Sequence, residues 1–298
     1  LKERRIKILI NIFEEQNSEL ILKLLYSQRV NYNRAGVLNN INKVLILSNL
    51  ILNFILMLIP NDYISLIILL LSLITILIES KIKSSIRIGA ATKEYIDQSL
   101  FKLSPSSKID GYTLQELREF ANKEVANTPN DYIVQISNTG NDIPPGVKDW
   151  YMNNEFKKED ELILDCQFQN NWWTKKLYES YLKISTIIYT IIGLITVLII
   201  YILKPKFINI IIITGTLLLS FASKIWDISS FRTYKTLLND TYTRINEFKT
   251  GGTLSKESLI HIQENIFKLR QQKYLIPNWL HKKKCSNYHN SLKYTSIE

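Results

Sequence analysis

Ile184 to Leu203 reads ISTIIYTIIGLITVLIIYIL, twenty residues without one charged side chain. As a helix rising about 1.5 Å per residue it covers about 30 Å, the hydrocarbon thickness of a bilayer. Lys204-Pro205-Lys206 turns the chain, and Phe207 to Ala222 (FINIIIITGTLLLSFA) returns uncharged. The same arrangement occurs earlier. Val44 to Ile59 (VLILSNLILNFILMLI) stops at Pro60-Asn61-Asp62, and Tyr63 to Ile78 (YISLIILLLSLITILI) stops at Glu79. These sixteen-residue runs are short for a span, but they are apolar on every face and are joined by turns too short to hold a domain. Lipid offers no partner for a free backbone, so each run must be helical, and each closely linked pair an antiparallel hairpin.

The expected fold is therefore mainly α: an integral membrane protein with four transmembrane helices in two hairpins and a mostly helical cytoplasmic domain. The sequence divides into an N-terminal helical segment (1–43), a first hairpin (44–78), a central segment (79–183), a second hairpin (184–222) and C-terminal helices with a basic tail (223–298). A break is expected at Gln16-Asn17-Ser18, before a helix that runs into the first span. In the central segment a helix is expected over Leu114 to Ala126, a strand over Tyr132 to Ile136, and a loop over Asn138 to Gly146. A helix from about Glu159 then leads to the third span. Lys224 to Thr250 and Leu254 to about Lys273 are two further helices, separated by Gly251-Gly252 and expected to pack on the central segment.

Lys and Arg outnumber Asp and Glu by 37 to 27, a net charge of +10. The distribution of this excess matters more than its size. Within twenty residues of the spans, thirteen Lys and Arg lie on the side of the termini, against Lys204 and Lys206 in the opposing turns. The positive-inside rule places both termini and the central segment in the cytoplasm, so the lipid bilayer is the partner the charge suits and no specific nucleic-acid polymer is implied. Two cysteines, Cys166 and Cys285, form no framework and fit a reducing compartment. The basic start, Leu1 to Asn11, runs on without a cleavage site, so no signal peptide is expected.

Candidate residues fall into three groups. Asn49 and Asn53 lie one turn apart on the first span, and Thr190 and Thr214 sit in the third and fourth. All four suit either a wet path or hydrogen bonding between helices, and packing is the commoner role. No Asp, Glu, Lys or Arg lies inside a span, which argues against a proton-relay pump or charge-coupled transporter. Trp150, Trp172 and Trp173 approach the third span; the latter two, about 16 Å short of it on a continuous helix, are expected to pack in the soluble part. His281, Cys285 and His289 have helical spacing, but Lys282 to Lys284 oppose a cation, and neither a metal nor another cofactor is expected. No P-loop, GxSxG, HExxH or GxGxxG stands in a supporting context, so an enzyme is not expected.

Three segments carry a resemblance. Gln28-Arg29 with Tyr32 and Ala35 precedes the first span. Asp149-Trp150-Tyr151 is followed by Gln167, Asn170, Trp173, Leu177 and Tyr181 before the third. Ile262-Gln263, Ile266 and Arg270 lead to Ile276-Pro277-Asn278-Trp279. In this order around four spans they resemble the SMODS-associating four-transmembrane effector family of bacterial nucleotide-signalled antiphage systems. Gly36, Phe168, Thr174 and Asn278 depart from the family pattern, which carries charge there.

The resemblance implies a pore-forming effector that permeabilises the bacterial inner membrane, acting in antiviral defence when a nucleotide signal arrives. Gln28, Arg29, Trp150, Gln167, Trp172, Trp173, Arg270 and Trp279 are the candidates for cytoplasmic sensing or assembly. A cyclic nucleotide, or a partner protein relaying its signal, would be the trigger. A homo-oligomer is expected, because four short helices are few for an aqueous pore. The alternative is a membrane-anchored scaffold or interaction protein, with a small-molecule transporter behind it.

Overall fold

The computed structural model describes residues 12–103, 107–142, 144–152, 157–203, 232–272, 275–276, 279–284 and 287. The fourth predicted span, Thr214 included, lies outside them, as do Cys285 and His289.

Helix α1 (Glu19–Leu58) runs unbroken from polar sequence into the first apolar run. It ends where Pro60 forces Ile59 into an extended conformation. Asn61 caps α2 (Asp62–Leu100), its Oδ1 accepting from the backbone N–H of Tyr63 at 2.9 Å and Ile64 at 3.4 Å. The α1 and α2 helices pack along one another and present Leu47, Ile51, Leu66 and Leu73 outward. Asn49 and Asn53 face inward: Asn49 Nδ2 donates to Ser72 Oγ at 3.2 Å, and Asn53 Nδ2 to the Asn49 carbonyl at 2.7 Å.

After α2 the central segment continues with a tight hairpin, β1 (Lys108–Ile109) paired antiparallel with β2 (Tyr112–Thr113). Asp110 and Gly111 take the positive φ values that such a two-residue turn demands. Thr113 and Glu116 form a capping box that starts α3 (Leu114–Asn127). The next element corrects an expectation. Tyr132 to Ile136 is not a strand but part of helix α4 (Pro129–Ile136). Proline at the first helical position and Asp131 in the first turn favour a helix start over the β-prone composition of YIVQI. As a helix the segment also sets Tyr132 edge-on against Tyr26, with ring centroids 5.3 Å apart.

Helix α5 (Glu159–Leu203) passes without interruption from the core into the third apolar run. Helix α6 (232–249) is followed by Gly251, at φ +124°, and then by α7 (Lys256–Gln271), capped by Ser255. The expected packing of the two C-terminal helices is met: Ile245 of α6 and Leu259, Ile262 and Ile266 of α7 join the same core as Leu24, Ile96, Leu117 and Trp172. A smaller cluster ties Tyr178 to Tyr234, Leu238 and Leu269. Three helices among the described residues, α1, α2 and α5, are long and apolar enough to cross a membrane.

Candidate functional site: a buried charge cluster

Below the apolar run of α2 the sequence Gly89-Ala90-Ala91-Thr92 presents almost no bulk. Neighbours therefore approach closely, and a Cβ added at Gly89 would lie 3.2 Å from the Tyr32 ring. One turn later come Lys93, Glu94 and Asp97, all buried. Asp97 is the centre. Its Oδ1 accepts from Tyr151 Oη at 2.5 Å and from Lys93 Nζ at 2.9 Å, and its Oδ2 from Arg270 Nη2 at 2.5 Å. Glu94 Oε2 accepts from Arg270 Nη1 at 3.2 Å and Gln263 Nε2 at 2.8 Å. The Tyr151 oxygen accepts in turn from Lys93 at 3.0 Å and Asn170 Nδ2 at 2.9 Å. Gln167 extends the network, donating to the Leu259 carbonyl at 2.9 Å and to Gln263 Oε1 at 3.2 Å. Lys93 also lies over the rings of Trp150 and Tyr151.

Two cations and two anions balance, with side-chain exposures of 3% for Lys93, 2% for Glu94, 0% for Asp97 and 12% for Arg270. Burial pushes Lys93 below its ordinary pKa, and it pushes Glu94 above the usual carboxylate range despite Arg270. Burial would raise Asp97 as well, but Arg270 and Lys93 outweigh it and hold its carboxyl below the ordinary value. Tyr151 is driven well above its ordinary value by burial and the neighbouring Asp97. Buried ion pairs of this kind come close to breaking even against hydration, whereas removing one partner strands a charge. Chemically, the cluster is a joint between α2, α5, α7 and the segment bearing Tyr151.

That segment is pinned by the expected break near the N-terminus. Gln16 Oε1 accepts from the Tyr151 N–H at 2.8 Å, and Asn17 Nδ2 donates to Asp149 Oδ1 at 2.7 Å. The preceding loop closes on itself through Gly140 and Gly146, where an added Cβ would come within 2.3 and 2.1 Å of backbone oxygens.

Of the sequence-derived candidates, the cluster gathers Trp150, Gln167 and Arg270. Arg29 lies apart, paired to Asp142 at 2.7 Å, while Gln28 is half-buried nearby on α1. Trp172 is buried, edge-on to Trp173, and Trp173 stacks on His281 at 6.4 Å. Trp279 is 55% exposed and stands outside the packed core, with Leu280 buried beside it. Thr190 is exposed and donates to the carbonyl of Thr186 in its own helix. Sequence reasoning missed Lys93, Glu94 and Asp97. The signal was the small-residue run just before them, which marks a face packed too tightly to leave the following charges in water. Among the described residues no group of three or more His, Cys, Asp or Glu side chains is placed to hold a metal.

Neither the curated proteins nor the solved structures contain a match to this chain. A family model does match, over residues 10–297, essentially the whole sequence. The chain belongs to the SMODS-associating 4TM effector domain family.

Proposed function

We propose that this protein is a membrane-disrupting effector of a bacterial nucleotide-signalled antiphage system. In this reading four spans in two hairpins cross the inner membrane, with both termini cytoplasmic. A cyclic nucleotide, or a partner carrying its signal, rearranges the cytoplasmic unit, and copies of the chain assemble into a leaky state. The output is permeability rather than catalysis.

Membership of an effector family tied to nucleotide signalling supports the context. The observation that carries the mechanism is the continuity of α1, α2 and α5, each a single helix from the buried core into an apolar run. Such rods pass a change of packing at one end directly to the other. The test is inducible expression in cells carrying a nucleotide-producing partner enzyme, read with a potential-sensitive dye during phage challenge. Depolarisation with growth arrest is expected. Preserved potential, together with intact dye-loaded liposomes under every candidate cyclic nucleotide and partner extract, would replace this reading with that of a membrane-anchored scaffold.

A further inference from the structure

We infer that Arg270 is a release catch: its two bonds to Glu94 and Asp97 hold the C-terminal half of α7 against α2, and opening them is the cytoplasmic step that frees the apolar helices. The inference rests on the effector reading for its output, but the catch itself is a property of the packed unit.

Three observations identify α7 as the moving part. It is linked to α6 through Gly251 and Gly252, and Gly251 holds a φ of +124° that suits a pivot better than a rigid splice. By contrast, α2 and α5 are each continuous with an apolar run long enough to cross a membrane, which α7 is not. Of the four charged groups Arg270 is also the least buried, on the last turn of its helix, so water reaches it first. Opening that end lifts Ile266, Phe267 and Leu269 from apolar contact, while Leu259 and Ile262 stay seated nearer the pivot. Rehydration of the guanidinium and two carboxylates offsets the ion pairs lost, which leaves closed and open arrangements near in free energy. Charge bookkeeping makes the catch testable: without Arg270 the cluster carries one excess negative charge, and removing the Glu94 charge as well restores neutrality with Lys93 and Asp97.

The experiment compares full-length wild type, Arg270→Met, Arg270→Met with Glu94→Gln, and Gln263→Ala in vesicles of phosphatidylethanolamine and phosphatidylglycerol. Amide hydrogen exchange over 263–271 reports the catch, and dye release without any nucleotide reports the output. Arg270→Met should speed both by about tenfold or more, the double variant should return both to within about threefold of wild type, and Gln263→Ala should fall between. Faster exchange with rescue but no dye release supports the catch and counts against the permeability reading. A folded Arg270→Met protein with unchanged exchange overturns the catch. If Arg270→Met does not fold, the Gln263→Ala protein decides: unchanged exchange there also overturns it.

Discussion

Arg270 on α7 donates to Asp97 on α2 across 173 positions of sequence, at 2.5 Å, and no solvent reaches the carboxylate. The pair joins the last helix of the core to the helix that continues into the second apolar run. Asp97→Asn leaves Lys93 and Arg270 buried with Glu94 as their one anion, and should cost about 3–5 kcal/mol. Arg270→Lys should recover little of the Arg270 contribution, since an ammonium lacks the planar fork that directs separate N–H groups at Glu94 and Asp97. Thermal unfolding of detergent-solubilised protein checks both; an Asp97→Asn protein as stable as wild type contradicts the account.

The two carboxylates give opposite pH signatures. Asp97 is held below its ordinary value of 3.8, so its contribution is complete above that pH and is lost as pH falls through its lower native value. Glu94 is raised above 4.5, so between that pH and its native value the folded state binds the extra proton and stability declines as pH rises. Arg270, Asp97, Gln98 and Gln263 are the groups that act on it. Glu94→Gln should abolish the decline in that window while leaving the acid limb in place. Denaturant midpoints collected across the range from pH 3 upward would reveal a persisting decline, which would count against the assignment.

Topology cannot be read from Cys166. Burial pushes its thiol well above the ordinary range, and it should resist alkylation in folded protein on either side of a membrane. Asn61→Cys, on the exposed turn between α1 and α2, should label from outside intact cells. Protection of that position, with labelling only after lysis, would invert the proposed orientation.

Trp173 and Trp279 should respond differently to truncation. Trp173, packed on the core and stacked on His281, should cost about 3–5 kcal/mol when cut to alanine. Trp279→Ala should change unfolding by no more than about 0.5 kcal/mol. Cross-linking in membranes then asks whether Trp279 serves assembly, and unaltered oligomer yield would remove it from that role.

Asn49 and Asn53 lie between α1 and α2, so replacing both with Leu alters the hairpin from within. Loss of the Asn49–Ser72 bond should shift stability by only about 0.6 kcal/mol. Triggered dye release should nevertheless be blunted, because the polar seam is lost to the open assembly. Full release from the double variant would make the asparagines packing residues alone.

The long elements were legible because apolar runs, Pro60 and Gly251 punctuate them strongly. Local composition misled at YIVQI, where helix-start chemistry at Pro129 prevailed over β propensity. The Asp110-Gly111 hairpin was passed over because its strands hold two residues each, too few for alternation to register. Arg270 and Gln167 entered through a resemblance and Trp150 also through its place before the third span, whereas the α2 charges they meet did not: Lys93 and Asp97 have the spacing of an ordinary surface pair. Only the tertiary approach over Gly89 to Ala91 turns that pair inward.

The unbroken course of α2 makes it a lever. From Asp97 to Asp62 the helix is about 50 Å long, so a tilt of about 10° about the charge cluster sweeps its far end through roughly 9 Å, about the width of one helix. A motion too small to disturb most of the core can therefore carry one helix past its neighbour at the other end of the rod.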